Sequence, residues 1–214
     1  MQKKVKPSIN GIINKYSAVV PVAGLSSRFG SFKPLFEIDG ETLIHRTVRS
    51  LLQADVSEVV VITGYNSEKI TSALDDCKEQ LIFCENLNYK VSDMLTSIKI
   101  GISKLSTCNA FFVLPADMPF ISSTTVKYLY NEFEEKDCKI LIPVYKGRRR
   151  HPPLISFSIK NEIIDYNGKN GLKGFFDYIS RTYLLSEVMV DDLGVTVDID
   201  TVNDYEKIKC INLK

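Results

Sequence analysis

Apolar and polar positions follow two different periods along the chain, and these periods predict a succession of strands and helices. Short continuous apolar runs are typical of strands that are buried on both faces of a sheet. Stretches with an apolar residue at every third or fourth position are typical of helices that cover a sheet. The apolar runs predict strands at residues 17–22, 58–63, 80–84, 109–114, 139–144, 154–157 and 195–199. The helical spacing predicts helices at residues 42–52, 67–74, 92–105, 122–133, 160–165, 171–179 and 201–211.

The order of these elements favours an α/β fold with a three-layer, doubly wound and mostly parallel sheet of the Rossmann-like kind. Strands that alternate with helices are usually joined to parallel neighbours by helical crossovers. No linker, repeat or low-complexity segment interrupts residues 17–214, which we therefore interpret as one domain. Residues 1–16 are interpreted as an N-terminal arm.

Composition narrows the classes of partner. The chain has 214 residues, of which 44% are hydrophobic and 25% charged, and its formal net charge is +1. This balance gives no overall field that would attract nucleic acid or an anionic membrane, and no apolar run approaches the roughly 20 residues that span a bilayer. The five cysteines are odd in number and show no C-x-x-C spacing, which argues against a disulfide framework. We expect a cytoplasmic protein with neither nucleic acid nor membrane as a partner.

The loop after the first predicted strand carries the first candidate chemistry. It contains Gly24 and Gly30, and it places Arg28 five residues before Lys33. In open α/β sheets, ligands bind beyond the carboxyl ends of the strands. Exposed backbone amides at glycines can approach phosphate oxygens, and the two cations would neutralise charge on a leaving pyrophosphate. The loop therefore favours a triphosphate site, although a solvated turn of the same composition remains an alternative.

Carboxylates follow two other predicted strands. Asp117 comes directly after the apolar run at residues 109–114, and Asp198 and Asp200 lie at the end of the run at residues 195–199. Mg²⁺ is a hard cation that takes one or two carboxylates together with phosphate oxygens. Asp117 is therefore a candidate metal ligand, with Asp198 or Asp200 as the second. Aspartates at such positions also serve as turn or helix-cap residues.

Several motifs in order resemble those of the molybdenum-cofactor nucleotidyltransferases. The loop at residues 23–33, Ala-Gly-Leu-Ser-Ser-Arg-Phe-Gly-x-x-Lys, is similar to the signature loop of this family, with the cytidylyltransferases as its nearest branch. Further similarity lies in Leu-Pro-Ala-Asp-Met-Pro at residues 114–119, in the His151-Pro152 pair, and in Val-Asp-Ile-Asp-Thr at residues 197–201. The resemblance covers most of residues 17–205.

The resemblance implies a Mg²⁺-dependent transfer of CMP from CTP to a molybdopterin-type phosphate, with release of pyrophosphate and a molybdoenzyme as a later partner. It implies catalytic roles for Arg28, Lys33 and Asp117, and metal ligation by Asp117 and Asp200. Nucleotide-binding roles fall to residues on the first loop and beyond it, namely Ala23, Gly24, Leu25, Ser26, Arg28, Lys33, Ser97 and His151. Ser97 would contact the base or ribose, unless it is an exposed helical serine.

The acceptor half departs most from the family pattern. Asp93 and Arg150 each stand where glycine is usual, and Arg148, Arg149 and Arg150 precede His151. Guanidinium groups match phosphate oxygens, so this segment would hold the acceptor phosphate, unless it is a solvated basic loop. His151 would then be ordered by the prolines.

Other functions remain open at this stage. Guanylyl transfer from GTP, or cytidylyl transfer to phosphocholine or a sugar phosphate, would use the same chemistry. A non-catalytic nucleotide-binding accessory protein that delivers a cofactor belongs to another class. A dehydrogenase is disfavoured, because the G-x-G-x-x-G fingerprint is missing.

Overall fold

The computed structural model describes residues 14–22, 32–199 and 201. Its strands are β1 (Asn14–Pro21), β2 (Glu37–Ile38), β3 (Glu41–Thr42), β4 (Glu58–Thr63), β5 (Leu81–Glu85), β6 (Cys108–Val113), β7 (Ile140–Tyr145), β8 (Arg148–Arg149), β9 (Leu154–Ser156) and β10 (Leu185–Met189). Its α-helices are α1 (Leu43–Gln53), α2 (Ser67–Ala73), α3 (Met94–Lys104), α4 (Ser123–Glu135), α5 (Lys160–Asp165) and α6 (Gly171–Ile179).

The main sheet has the strand order β10-β7-β9-β6-β1-β4-β5, with β8 paired to β7. The pairs β1–β4, β1–β6, β4–β5 and β7–β10 are parallel. β9 lies antiparallel between β6 and β7, and β8 is antiparallel to β7. The strand order reverses at β1: the sheet continues through β4 and β5 on one side of β1 and through β6 on the other. This arrangement confirms the predicted doubly wound, mostly parallel sheet.

Two apolar cores fill the spaces on either side of the sheet. On one side α1, α2 and α4 pack against the strands, and Val20 and Phe112 lie in that core. On the other side α3, α5 and α6 pack, and Val19 and Phe111 lie there. Adjacent residues of one strand point to opposite faces, so continuous apolar runs in β1 and β6 fill both cores. The three-layer prediction is confirmed.

The boundaries differ from the sequence prediction in a few places. β1 begins at Asn14, so residues 14–16 of the predicted arm belong to this strand. β10 and the short β2–β3 hairpin were not predicted. Residues 1–13 and most of the predicted helix at 201–211 lie outside the described residues.

The predicted strand at residues 195–199 is wrong. Leu193–Thr196 forms a 3-10 helix instead, and Val197 and Ile199 pack beside Ile38 and Leu43 in a small separate core. The alternation of buried Val195, Val197 and Ile199 imitates the period of a strand. The segment nevertheless pairs with no strand of the described sheet, because its apolar side chains cover the β2–β3 region.

His45 connects the beginning of α1 to the chain beyond α2. Its Nδ1 lies 2.6 Å from Glu41 Oε1, and its Nε2 lies 2.8 Å from Asp76 Oδ2. Partial burial opposes protonation of the ring, but hydrogen bonds to Asp76 and Glu41 outweigh it and raise the pKa of His45 above its ordinary value. These contacts give His45 a structural role.

Candidate active site

The cleft lies at the carboxyl ends of β1 and β6, which are neighbours in the sheet. The Val22 amide donates to the Ile62 carbonyl, and the Leu114 amide donates to the Val19 carbonyl, so the sheet pairing continues past both strand ends. The segment that follows β6 carries Asp117, and the segment after β1 leads to Lys33. The strand order of the sheet reverses between β1 and β6. At such a switch point, an α/β sheet opens a crevice in which ligands bind.

Lys33 and Asp117 form an ion pair in this crevice. Lys33 Nζ lies 2.8 Å from Asp117 Oδ2, and the side chains are 10% and 30% exposed. Lys33 begins a short 3-10 helix, Lys33–Leu35, in which the ring of Pro34 restricts the backbone φ angle. The structure thus brings together two residues that the sequence placed 84 positions apart.

The remaining residues predicted for the first loop lie outside the described residues. These are Ala23, Gly24, Leu25, Ser26 and Arg28. Lys33 and the strand end before the loop are described, and they place the two ends of this loop beside Asp117. A pocket of about 100 Å³ lies there, lined in part by Pro21, Val22 and Lys33.

Asp198 shares a cleft with Asp117. The Ile199 amide donates to the Asp117 carbonyl at 3.2 Å, and both aspartates line a cleft of about 260 Å³. Asp200, the other predicted ligand, lies outside the described residues. The structure therefore brings Asp117 next to Asp198, one of the two candidate second ligands.

Asp192 fixes the turn that leads to Asp198. Its Oδ1 accepts from the Gly194 amide at 2.8 Å, and its Oδ2 accepts from Ser122 Oγ at 3.0 Å and Thr125 Oγ1 at 2.6 Å. These bonds tie the 3-10 helix to the N-terminus of α4. The sequence analysis missed Asp192, and the D-x-G spacing of an Asx-type turn is the signal that would have found it.

Ser97 is buried rather than exposed. It is 4% exposed and accepts a hydrogen bond from Asn86 Nδ2 at 3.0 Å, and Asn86 is itself 1% exposed. Asn86 also donates to Ser92 Oγ at 2.8 Å. Ser97 therefore helps to hold the connection between β5 and α3, and its predicted contact with the nucleotide stays a prediction. The first turn of α3 reaches the cleft through Met94, which the sequence analysis did not single out.

Asp93 has a structural function at the beginning of α3. Its Oδ1 accepts from the Thr96 amide at 2.9 Å and from Thr96 Oγ1 at 2.8 Å, which is an N-cap arrangement. The hydrogen bond from the Thr96 backbone lowers the pKa of Asp93. Helix capping is therefore the role that the structure shows for Asp93.

His151 stands between the cleft and a larger pocket. Its Nδ1 lies 3.4 Å from the Val113 carbonyl, to which a neutral ring donates, and its peptide bond to Pro152 is cis. Burial lowers the pKa of His151. The ring therefore remains uncharged at neutral pH and serves as a polar wall of the cleft rather than as a fixed cation.

The three consecutive arginines lie at the wall of these pockets. Arg148 and Arg149 form β8, and the Arg150 amide donates to the Pro143 carbonyl. Arg149 Nε lies 2.7 Å from Glu187 Oε1. Arg149 and Arg150 line the cleft that contains Asp117, and all three arginines line an adjoining pocket of about 520 Å³. Lys173 and Phe176 of α6 line the larger pocket too, and the sequence analysis missed both.

Comparisons with known proteins identify the domain that this chain contains. Residues 18–183 match the MobA-like NTP transferase domain. The chain is 29% identical over 146 residues to a probable molybdenum cofactor guanylyltransferase of Natranaerobius thermophilus, a match that covers 68% of this chain and 67% of that protein. It is 22% identical over 190 residues to the molybdenum cofactor cytidylyltransferase of Escherichia coli K12, covering 87% and 92%.

A solved structure shows the same fold. The chain superposes with a TM-score of 0.70 on a protein of Mycobacterium tuberculosis H37Rv that was crystallised with manganese. The two are 18% identical, and the superposition covers 92% of this chain and 98% of that one. In the described part of the chain, no helix has the length and apolar character that a membrane crossing requires.

The class of protein follows from the matching domain, which is that of nucleotidyltransferase enzymes. The chain belongs to the MobA-like NTP transferase family.

Proposed function

We propose that this enzyme transfers CMP from CTP to a molybdopterin-type phosphomonoester and releases pyrophosphate. The observation that carries the proposal is the Lys33–Asp117 pair, 2.8 Å apart in a cleft at the carboxyl ends of two neighbouring parallel strands. The names of the two sequence relatives support the acceptor, since both refer to the molybdenum cofactor. The choice of CTP rests on the sequence motifs, with GTP as the alternative.

Asp117 is the proposed first ligand of Mg²⁺. Its side chain is 30% exposed, and it faces a cleft that also contains the exposed Asp198. Carboxylate oxygens are the donors that a hard divalent cation prefers, so the donor set fits. Asp198 or Asp200 would complete the site, and the bound ion would neutralise charge on the phosphates of the nucleotide.

Lys33 is proposed to stabilise the leaving pyrophosphate. Its ammonium group is held at the cleft by Asp117 and by the short 3-10 helix, so it needs little reorganisation when a triphosphate binds. The glycine-containing loop at residues 23–31 and Arg28 would supply further donors. Direct in-line attack by an acceptor phosphate requires positioning and charge neutralisation, and it requires no enzyme nucleophile.

The arginine segment is proposed to receive the acceptor. Arg149 and Arg150 line the cleft that contains Asp117, so a phosphate bound to them would lie beside the nucleotide. His151, kept neutral by burial, would let the phosphate approach without adding a charge that changes with pH. The larger pocket beyond these residues would then contain the rest of the acceptor molecule.

The direct test is a transfer assay. The full chain is incubated with Mg²⁺, purified molybdopterin and each of CTP, GTP, ATP and UTP in turn. Pyrophosphate release is measured, and the nucleotide conjugate is identified by mass spectrometry. We expect acceptor-dependent release with CTP. If GTP is the one nucleotide that supports release, the donor is GTP and the choice of CTP is wrong. If pyrophosphate release depends on the acceptor with none of the four NTPs, the proposed reaction is refuted.

A further inference from the structure

The charged residues that line the pocket beyond the cleft are all positive. Four of its lining residues are cationic, and no carboxylate belongs to the part of its wall that is described. The adjoining cleft, by contrast, contains Asp117 and Asp198 together with two of the same arginines. The larger pocket is lined by Ile142, Arg148, Arg149, Arg150, His151, Pro153, Leu172, Lys173 and Phe176.

Most of these cations have no carboxylate partner among the described residues. Arg149 pairs with Glu187, whereas neither Arg148 nor Lys173 forms a salt bridge with another described residue. Arg150 Nε is buried and finds no hydrogen-bond acceptor among the described residues. A buried guanidinium N–H without an acceptor is unfavourable, and a bound anion would relieve this condition.

The four cations fall into two groups according to the cavities that they line. Arg149 and Arg150 line both cavities, so an acceptor phosphate that lies beside Asp117 is within their range. Arg148 and Lys173 line only the larger pocket. Lys173 lies in the first turn of α6, whose N-cap residue Asn170 makes no side-chain capping hydrogen bond. The positive end of the helix dipole adds to the charge of Lys173 there.

The remaining wall of the larger pocket suits an apolar body. Ile142, Leu172 and Phe176 contribute apolar walls, and the pocket has a volume of about 520 Å³. Pockets for small organic ligands generally measure about 300–1,000 Å³. An aromatic ring beside Phe176 would gain from burial and from ring–ring contact.

We infer that the acceptor of this enzyme carries a second anionic group, held by Arg148 and Lys173 in the larger pocket, on a ring-bearing body whose phosphomonoester lies beside Asp117. This inference rests on the proposed function for the position of the phosphomonoester. It adds a charge requirement, and it assigns a binding role to two residues that do not line the catalytic cleft.

Two pairs of simple phosphomonoesters test the charge requirement. The first pair is 4-carboxyphenyl phosphate and its neutral match, 4-carbamoylphenyl phosphate. The second pair, 6-carboxy-2-naphthyl and 6-carbamoyl-2-naphthyl phosphate, places the same groups farther from the phosphate. Binding of each probe to the full chain with Mg²⁺ is measured by isothermal titration calorimetry. In at least one pair we expect the carboxylate to bind about fivefold more tightly or better, as for a partly exposed ion pair.

Variants connect this preference to the proposed residues. Arg148→Gln and Lys173→Gln should each reduce the carboxylate preference to less than about twofold, while the affinity for the carbamoyl probes changes little. Lys146→Gln is the matched control, because Lys146 is an exposed cation two positions before Arg148 that does not line the pocket. It should leave the preference unchanged. All three side chains are exposed, and thermal melts establish that the variants are folded.

Three results would overturn the inference. They are equal binding of carboxylate and carbamoyl probes in both pairs, a preference that survives in both Arg148→Gln and Lys173→Gln, and a preference that Lys146→Gln reduces as much as they do. Because binding is measured without turnover, failure of the proposed reaction appears separately. It would show as a missing NTP-dependent release of pyrophosphate in a protein that still prefers the carboxylate probes.

Discussion

Asp117→Asn is the most informative single substitution in this chain. It keeps the shape of the side chain and replaces the charged carboxylate by an uncharged amide. A neutral amide is a poorer ligand for a hard cation, and the phosphates would lose a source of charge neutralisation. We expect pyrophosphate release to fall by at least about 100-fold, and the Mg²⁺ concentration for half-maximal activity to rise.

The geometry also sets the expected effect on stability. At the 2.8 Å that separates Lys33 Nζ from Asp117 Oδ2, a Coulomb attraction of about 6 kcal/mol follows from an effective dielectric constant of about 20. Both groups lose hydration in the cleft, so the net contribution is smaller, about 1–3 kcal/mol. Since domains of this size are stable by about 5–15 kcal/mol, the variant should remain folded.

A double-mutant cycle separates the pair from other effects. Lys33→Met and Asp117→Asn are made singly and together, and the free energy of unfolding is measured by urea denaturation followed by circular dichroism. We expect a coupling energy of about 0.5–3 kcal/mol, as for residues in direct contact. Asp191→Asn is the control, because Asp191 is exposed and does not line the cleft.

The activity assay decides the metal assignment. Pyrophosphate release is measured across a Mg²⁺ titration for the wild type, Asp117→Asn and Asp191→Asn. A folded Asp117→Asn enzyme with wild-type activity at low Mg²⁺ would refute the reasoning, since Asp117 would then be a turn residue for which asparagine is an adequate substitute. The same titration of Asp198→Asn and Asp200→Asn identifies the second ligand.

Three further predictions concern other parts of the chain. Arg28→Ala should lower pyrophosphate release by at least about 100-fold with little change in the melting temperature. An unchanged rate of release would contradict the catalytic role of Arg28 on the first loop. His45→Gln should lower the free energy of unfolding by about 1 kcal/mol or less at pH 6 and by less at pH 9. Because the pKa of His45 is raised in the folded protein, its ion pairs contribute fully to stability below about pH 6.5, and this contribution is lost as the pH rises through the raised pKa. An equal loss of unfolding free energy at pH 6 and pH 9 would contradict this. Gly101→Ala should lower the free energy of unfolding by about 1–3 kcal/mol, since its Cβ would lie 2.6 Å from side-chain atoms of β1 and β4; Ser103→Ala on the exposed side of α3 is the control, and equal stability of the two would contradict the close packing.

The central strands could be predicted because their burial is complete. Every residue of β4 is buried, and the predicted bounds of this strand are those observed. β10 escaped prediction because it lies at the edge of the sheet, where Val188 is its one buried residue and Met189 is 63% exposed. Its apolar positions show neither the continuous run of a central strand nor a regular alternation. Pairing with β7 creates this strand, and sequence periodicity does not record such a long-range contact.

Part of the candidate site could likewise be predicted from the sequence, and part could not. Lys33 and Asp117 could be predicted to meet, because each follows a strand and the carboxyl ends of parallel strands share one edge. The larger pocket could not be predicted, since Arg150 comes from a hairpin and Lys173 from a helix that begins 21 positions farther along. Ser97 was left open between a nucleotide contact and an exposed serine, and its burial against Asn86 depends on a loop whose path the sequence does not specify.

The reversed direction of β9 places the segment with the proposed acceptor-binding arginines in a single connection between two strands. Leu154, its first residue, pairs opposite Phe112 near the end of β6, so between β7 and β9 the chain stays at the edge where Asp117 lies instead of crossing back through a helix. Residues 146–153, which include the two-residue strand β8, form the whole connection between β7 and β9. Exchange of this connection between relatives would transplant the arginine segment while the strands that position Asp117 and Lys33 stay intact. If this segment binds the acceptor as proposed, insertions and substitutions in this one connection would offer a short evolutionary route to a new acceptor, without changes in the strands that lead to Lys33 and Asp117.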